Sequence, residues 1–87
     1  MSNLEKARIQ HVLANFDNAY EICKTLAAQG NGEAQYYIAG YFENGLSVEK
    51  NRETAYKFYK QSAENGFTPS IQKVKLIELN YGSYMKS

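Results

Sequence analysis

Apolar side chains recur at helical spacing in the first third of the chain. They lie three or four positions apart, at Ile9, Leu13, Phe16, Tyr20, Cys23 and Ala27. This period places them on one face of an α-helix. Ser2 and Glu5 match a capping box just before the stripe. The pattern therefore predicts one long helix over 2–29, and the alternative is a break near Asp17, which has the chemistry of a helix N-cap.

Glycines and capping residues divide the rest of the chain into three further helices. Gly30 ends the first helix, and a second helix is predicted over 33–44, where Gly45 ends it. Asn51 caps a third helix over 52–65, which Gly66 ends. Pro69 suits the first turn of a fourth helix, with an apolar stripe at Ile71, Val74, Ile77 and Tyr81. Residues 67–82 are predicted as a C-terminal capping helix and 83–87 as a frayed tail.

Several residues recur at a fixed offset of 36 positions. Ala19-Tyr20 returns as Ala55-Tyr56, and the same offset relates Lys24 to Lys60, Ala27 to Ala63 and Gly30 to Gly66. A period of this length is typical of helical-repeat solenoids, in which each unit buries its apolar face against its neighbours. The predicted fold class is all-α, a short α/α solenoid of about four helices in one domain over 1–87.

The segment 31–66 has an ordered series of small, aromatic, capping and glycine positions. They are Ala34, Ile38-Ala39, Phe42, Gly45-Leu46-Ser47-Val48, Asn51, Thr54-Ala55, Phe58-Tyr59-Lys60-Gln61-Ser62-Ala63 and Gly66. The series resembles one complete Sel-1-like repeat, a relative of the tetratricopeptide repeat, although Ala39 and Ser47 stand where that family favours glycine. The resemblance implies helical hairpins that bind a protein partner. Within the N-terminal unit over 1–30, the long helix and half repeat, residues 12–30 resemble the second half of a preceding repeat.

Tyrosines concentrate on the second predicted helix and suggest a binding surface. The chain has 8 Tyr and 4 Phe among 87 residues, more than a few short helices need for a core, and tyrosine is a common interface anchor. In the resembling families the first helix of each repeat lines the partner-facing surface. The predicted partner-binding residues are Tyr36, Tyr37, Gly40, Tyr41 and Glu43. An alternative for Tyr37 and Tyr41 is packing against the first helix with their hydroxyls at the edge.

The titratable residues argue against catalysis, metal binding and nucleic-acid binding. His11 and Cys23 are the only histidine and cysteine, and a continuous helix would hold them roughly 18 Å apart. Cys23 lies on the apolar stripe, where a small apolar side chain packs well, and His11 lies off it. Residues 1–49 have six acids and three bases, whereas 50–87 have three acids and seven bases. Since those bases are interspersed with acids, no dense basic stripe forms.

These features together predict a non-enzymatic protein–protein interaction module. A small stoichiometric inhibitor, of the immunity-protein or antitoxin type, with one protein partner fits so short a chain. The alternative is an adaptor or self-associating module that forms a homodimer, and a Cys23-dependent enzyme is the least favoured. The sequence predicts no catalytic residue, cofactor or metal. It has no apolar leader or run long enough to span a membrane, which predicts a cytoplasmic location.

Overall fold

The computed structural model describes residues 2–86, and that part of the chain is all-helical, without strands. This confirms the predicted all-α class, but the described residues form six helices where about four were expected. The helices are α1 (Asn3–Val12), α2 (Phe16–Ala28), α3 (Gly32–Asn44), α4 (Arg52–Glu64), α5 (Thr68–Leu79) and α6 (Tyr81–Met85). Of the predicted tail over 83–87, Ser87 lies outside the described residues, as does Met1 at the other end.

The prediction of one long helix over 2–29 is wrong, and the alternative break is present. Helix α1 ends at Val12, and α2 begins at Phe16. Between them Ala14 adopts a left-handed backbone conformation with φ of 59°. The amide of Asn15 then donates to the carbonyl oxygen of Gln10 at 2.8 Å, which closes the C-terminal turn of α1. Because the chain reverses here, α1 packs back against α2 instead of extending it.

The break has no glycine to mark it in the sequence. The ends of α2, α3 and α4 place Gly30, Gly45 and Gly66 in the same left-handed region, with φ of 88°, 68° and 83°. Glycine adopts this conformation without a steric penalty, whereas alanine does not. The apolar stripe also keeps its phase through the break, although Leu13, which lies in the break, is 68% exposed. Periodicity alone therefore could not locate the end of α1.

Helices α3, α4 and α5 begin and end close to their predicted bounds. The side chain of Asn31 accepts from the amide of Ala34 at 2.9 Å, and Asn51 caps α4 through the amide of Thr54 at 3.0 Å. These bonds satisfy donors that the first turn of a helix leaves unpaired. The predicted capping helix over 67–82 is interrupted at Asn80, and the chain is helical again over Tyr81–Met85, so residues 83–85 are helical where the sequence suggested a tail.

Each helix packs mainly against its neighbours in the chain, with α3 between α2 and α4. The seams contain small residues without measurable exposure, namely Ala19, Ala34, Ala39 and Ala55. Small side chains let helix backbones approach closely. The molecule measures 39 × 26 × 19 Å, so its thinnest dimension corresponds to two helix diameters of about 10 Å. None of the helices in the described range is long and apolar enough to cross a membrane.

The two terminal helices contribute little to the buried core. Ala7 is the only buried residue of α1, and α6 has none. On the outer side of α1, Ile9, Val12 and Leu13 are exposed, Val12 by 83%. Helix α6 is fastened by Tyr84, whose hydroxyl donates to Glu43 at 2.7 Å. Helix α1 packs mainly on α2, and α6 lies against α4 and α5; polar contacts in addition connect both terminal helices to α3.

We predict that Ala14→Gly stabilises the fold. The substitution removes the steric penalty of a left-handed alanine, which exceeds the extra chain entropy that glycine loses on folding. The free energy of unfolding in urea should rise by about 0.5 to 1 kcal/mol. The matched control is Ala28→Gly at the exposed end of α2, which should lower it by a similar amount. A loss of stability in Ala14→Gly would contradict the left-handed geometry.

Candidate binding cleft

The five residues predicted to bind a partner line one open cleft of about 240 Å³. They are Tyr36, Tyr37, Gly40, Tyr41 and Glu43, all on α3. Their spacing explains this, because positions three and four apart share a helix face. Side chains from three other helices complete the lining, namely His11 of α1, Tyr59 of α4 and Lys73 of α5, together with Asn44 and Leu46.

Tyr41 forms the wall of the cleft and belongs to the core. Its side chain is only 2% exposed, and its ring lies against Phe16 and Tyr20 at centroid distances of 6.3 and 6.0 Å. The hydroxyl lies 3.3 Å from Nδ1 of His11. Burial, and then the nearby Cys23, raise the pKa of Tyr41 to about 12. Its hydroxyl therefore stays protonated at neutral pH, and its ring is available to a partner only at one edge.

Tyr37 is half-buried and joins a polar group that fastens α1 to α3. Its hydroxyl donates to Glu33 at 3.1 Å. Arg8 donates to both oxygens of the same carboxylate, from Nε and Nη2, each at 2.6 Å. This bidentate geometry is the strong form of an arginine–carboxylate pair. The hydrogen bond from Arg8 holds the pKa of Glu33 below its usual value, so Glu33 is ionised at neutral pH.

Glu43 is the centre of a second polar group, at the other end of the cleft. Its carboxylate accepts from the hydroxyls of Tyr59 at 3.0 Å and Tyr84 at 2.7 Å. The Nζ of Lys73 lies 3.2 Å away and forms an ion pair with it. Burial, and then Glu43, raise the pKa of Tyr59. Since these contacts connect α3 to α4, α5 and α6, the carboxylate of Glu43 serves mainly to hold the fold.

Tyr36 lines the cleft and connects aromatic rings of α3, α4 and the start of α5. It is half-buried, and its ring packs at an angle to Tyr37, Tyr59 and Phe67, with centroids 6.1, 5.7 and 5.3 Å away. Together with His11, which lies 5.6 Å from Tyr37, these rings form a continuous strip from α1 to the start of α5. We call this series the aromatic strip.

Gly40 leaves the cleft open within a helix that would be more stable without a glycine. A Cβ added at Gly40 would meet only the hydroxyl of Tyr59, at 4.0 Å. Packing therefore does not require glycine here, and its backbone conformation is helical. A glycine inside a helix costs about 0.5 to 1 kcal/mol relative to alanine. An incoming group that approaches the backbone closely would explain why this position has no side chain.

Five lining residues were not predicted as site residues, and His11 and Lys73 are the two that can carry a positive charge. The ring of His11 is exposed at the surface, as its place off the apolar stripe suggested, but it also packs against Phe16 at 5.4 Å. It reaches α3 only because the chain reverses after α1. Lys73 reaches the cleft through its pairing with Glu43. Both placements depend on how helices pack, so no local sequence signal could have found them.

Cys23 lacks the environment of a reactive thiol. It is 1% exposed, and burial, followed by the charge of Glu33, raises the pKa of its thiol to about 11. The reactive form of cysteine is the thiolate, which is scarce at neutral pH for such a group. Among residues 2–86 there is no cluster of three or more His, Cys, Asp or Glu side chains that could hold a metal ion.

A second groove, of about 470 Å³, lies between α2, α3 and α4 on another side of the molecule. It is larger than the cleft and has an apolar lining of Tyr20, Ile38, Phe42 and Phe58. Phe42 and Phe58 stack with centroids 5.9 Å apart, as expected of side chains that fill the junction between two helices. We favour the smaller cleft as the binding site because Gly40 opens it where helix stability would favour a side chain.

No protein-family model matches this chain, and no solved structure matches it either. The function of the chain has to follow from its own geometry, since a fold class alone does not define one.

The Arg8–Glu33 pair should make the stability of the fold sensitive to acid. Since the folded-state pKa of Glu33 is depressed, the stability it contributes is present above the unfolded-state pKa and is lost as pH falls through the folded-state value. We predict that Glu33→Gln reduces the proton uptake on unfolding between about pH 5 and 3 by up to one proton. Urea unfolding across this pH range measures it.

Glu5→Gln is the matched control for this prediction, because Glu5 is exposed in the first turn of α1. It should change the pH dependence less than Glu33→Gln does. Equal effects of the two substitutions would show that Arg8 does not favour the ionised form of Glu33.

Proposed function

We propose that this chain is a cytoplasmic, non-enzymatic module that binds one protein partner through the cleft on α3. We further propose that it is a short α/α solenoid of the Sel-1-like type. Helices α2 and α4 support this, since each has 13 residues and they begin at Phe16 and Arg52, 36 positions apart. Helices α3 and α5 begin at Gly32 and Thr68, at the same offset. The offset of the sequence repeat thus recurs in the starting positions of the helices.

The open position at Gly40 beside the aromatic strip is the observation that carries the proposal. Tyrosine rings bury a large area with few rotatable bonds, which suits them to binding surfaces. The strip and Gly40 together make a surface that can receive a backbone or a flat side chain. A one-to-one complex of standard size buries about 1,600 Å² in total, so one partner would cover a substantial part of so small a molecule. An inhibitor of the immunity-protein or antitoxin type acts by covering the functional surface of one target protein.

Substitution of Gly40 separates binding from stability. Gly40→Ala should raise the free energy of unfolding by about 0.5 to 1 kcal/mol, because alanine is the better helix former. Gly40→Leu should also remain folded but fill the cleft. We predict that wild-type chain used as bait in an extract of its native host captures one protein near equimolar amounts, and that Gly40→Leu captures at least about tenfold less, a change of roughly 1.4 kcal/mol in binding.

Ala28→Leu is the matched control, since it adds the same side chain to the groove between α2, α3 and α4. It should capture the partner as well as the wild-type chain does. Capture that is lost in Ala28→Leu and kept in Gly40→Leu would move the site to that groove. Numerous weakly bound proteins, with none near equimolar amounts, would argue against a one-partner inhibitor.

Self-association is the second candidate function, favoured by the apolar surface of α1. Ile9, Val12 and Leu13 are all exposed, and with Arg8 they line a shallow depression of about 220 Å³. A cluster of exposed apolar side chains on a terminal helix is typical of an interface. A second copy that packs against this face would form a symmetric dimer.

Leu13→Asp tests the dimer. If α1 forms the interface, sedimentation of the wild-type chain should show a dimer at micromolar concentration, and Leu13→Asp should weaken it about tenfold or more, since a buried carboxylate without a partner is unfavourable. Leu79→Asp, at an equally exposed position of α5, should leave an α1 dimer intact. A wild-type monomer at several hundred micromolar would remove this candidate.

A further inference from the structure

Apart from the cleft on α3 and the groove between α2, α3 and α4, a further cleft of about 310 Å³ lies where α4, α5 and α6 meet. It combines positive charge, polar groups and apolar surface, with a lining of Arg52, Lys73, Leu76, Ile77, Asn80, Ser83 and Tyr84. We call it the Arg52 cleft. Lys73 lines this cleft and the cleft on α3, so the two are adjacent and one partner can reach both.

The guanidinium group of Arg52 is fixed in position by Tyr84. Its Nη1 donates to the backbone carbonyl oxygen of Tyr84 at 3.0 Å, and its central carbon lies 5.1 Å from the centroid of the Tyr84 ring. Such contacts orient the guanidinium without neutralising its charge. Its Nε is buried and has no hydrogen-bond acceptor within the described part of the chain. The side chain of Arg52 is therefore held in one orientation, but its Nε donor makes no hydrogen bond among residues 2–86.

No carboxylate among residues 2–86 pairs with Arg52. The ion pairs in this range are Arg8–Glu33, Lys57–Glu53 and Lys73–Glu43. Lys73, the other cation of the cleft, is thus already compensated by Glu43. Among residues 2–86, Arg52 is the cation of the cleft that no carboxylate compensates, in a half of the sequence whose seven bases outnumber its three acids.

The surroundings of Arg52 indicate what kind of anion fits. Asn80 and Ser83 supply neutral polar groups, and Leu76, 60% exposed, supplies an apolar rim. One uncompensated arginine matches one carboxylate, with which it can form two parallel hydrogen bonds. A nucleic acid would require a row of cations along its phosphates, and the remaining bases of this half do not form one. The apolar rim favours an anion that has an aliphatic side chain beside it.

We propose that the Arg52 cleft binds an acidic, leucine-containing segment of the protein partner, with a carboxylate on Arg52 and an aliphatic side chain on Leu76. This inference rests on the proposed function, since it assigns part of the partner's surface. It extends the binding site from the aromatic strip across Lys73 to the C-terminal end of the molecule. The strip then provides shape selection and Arg52 provides charge selection.

The test is a nuclear magnetic resonance titration of the full chain with two synthetic peptides. One is an acetylated and amidated peptide of alternating leucine and glutamate, and the other has glutamine in place of each glutamate. The acidic peptide should shift the signals of Arg52 Nε–H, Asn80 and Ser83, and should bind about tenfold or more tightly than its glutamine counterpart. Equal affinities would overturn the proposal, as would shifts confined to Tyr36 and its neighbours.

Substitutions in the chain assign the contact. Arg52→Gln should weaken the acidic peptide about tenfold, whereas Lys57→Gln, an exposed position on the same helix, should change its affinity less than about twofold. Since Arg52→Gln also loses the contact that holds α6, Leu76→Gln provides a second test at an exposed position. It should weaken the peptide severalfold without unfolding the chain. Unchanged affinity in both Arg52→Gln and Leu76→Gln would overturn the proposal.

Inorganic phosphate distinguishes a carboxylate site from a general anion site. Phosphate at ten times the peptide concentration should displace little of the acidic peptide, because it makes no contact with the apolar rim. Full displacement would identify a phosphate site and overturn the proposal. If the peptides fail to discriminate but Gly40→Leu still loses the captured partner, the Arg52 inference fails alone. If partner capture fails while the acidic peptide binds as expected, the proposed function fails instead.

Discussion

The close packing of α3 between α2 and α4 is the constraint on which the rest of the structure depends. Alanines such as Ala34 and Ala39 fill the seams and have no measurable exposure. Seams this narrow leave no room for aromatic rings at the same positions. Tyr36 and Tyr37 therefore lie at the edges of the seams and are half-buried. The aromatic strip lies beside the seams because the seams themselves admit only small side chains such as alanine.

Rings at the edges of the helices bring hydroxyl groups into reach of two acids on α3. Glu33 accepts from Tyr37, and Glu43 accepts from Tyr59 and Tyr84. The same two carboxylates receive Arg8 and Lys73. Because α1 and α6 contribute little to the buried core, these polar groups add to the packing of α1 on α2 and of α6 on α4 and α5. The attachment through Glu33 weakens as that acid is protonated, because its pKa is held below the usual value in the folded state.

The sequence predicts the elements wherever a local signal marks them. Glycines at 30, 45 and 66 end helices in left-handed turns, so the predicted bounds of α3 and α4 are correct to within one residue. The turn after α1 has the same hydrogen bonds with Ala14 in place of glycine, and the prediction fails there. The grouping of Tyr36, Gly40 and Glu43 could also be predicted, since it follows from helical spacing. The partners of Glu43 could not, because they come from three other helices.

The internal role of Glu43 limits what the cleft on α3 can recognise. Its carboxylate already accepts two tyrosine hydroxyls and pairs with Lys73, which leaves little capacity for a cation of the partner. The face that remains consists of aromatic rings, the open backbone at Gly40 and the amide of Asn44, none of which is charged. Such a surface selects by shape. Charge selection then requires a group outside the cleft. The guanidinium of Arg52, which no carboxylate in the described part of the chain compensates, lines the adjacent cleft with Lys73 and is placed to supply it.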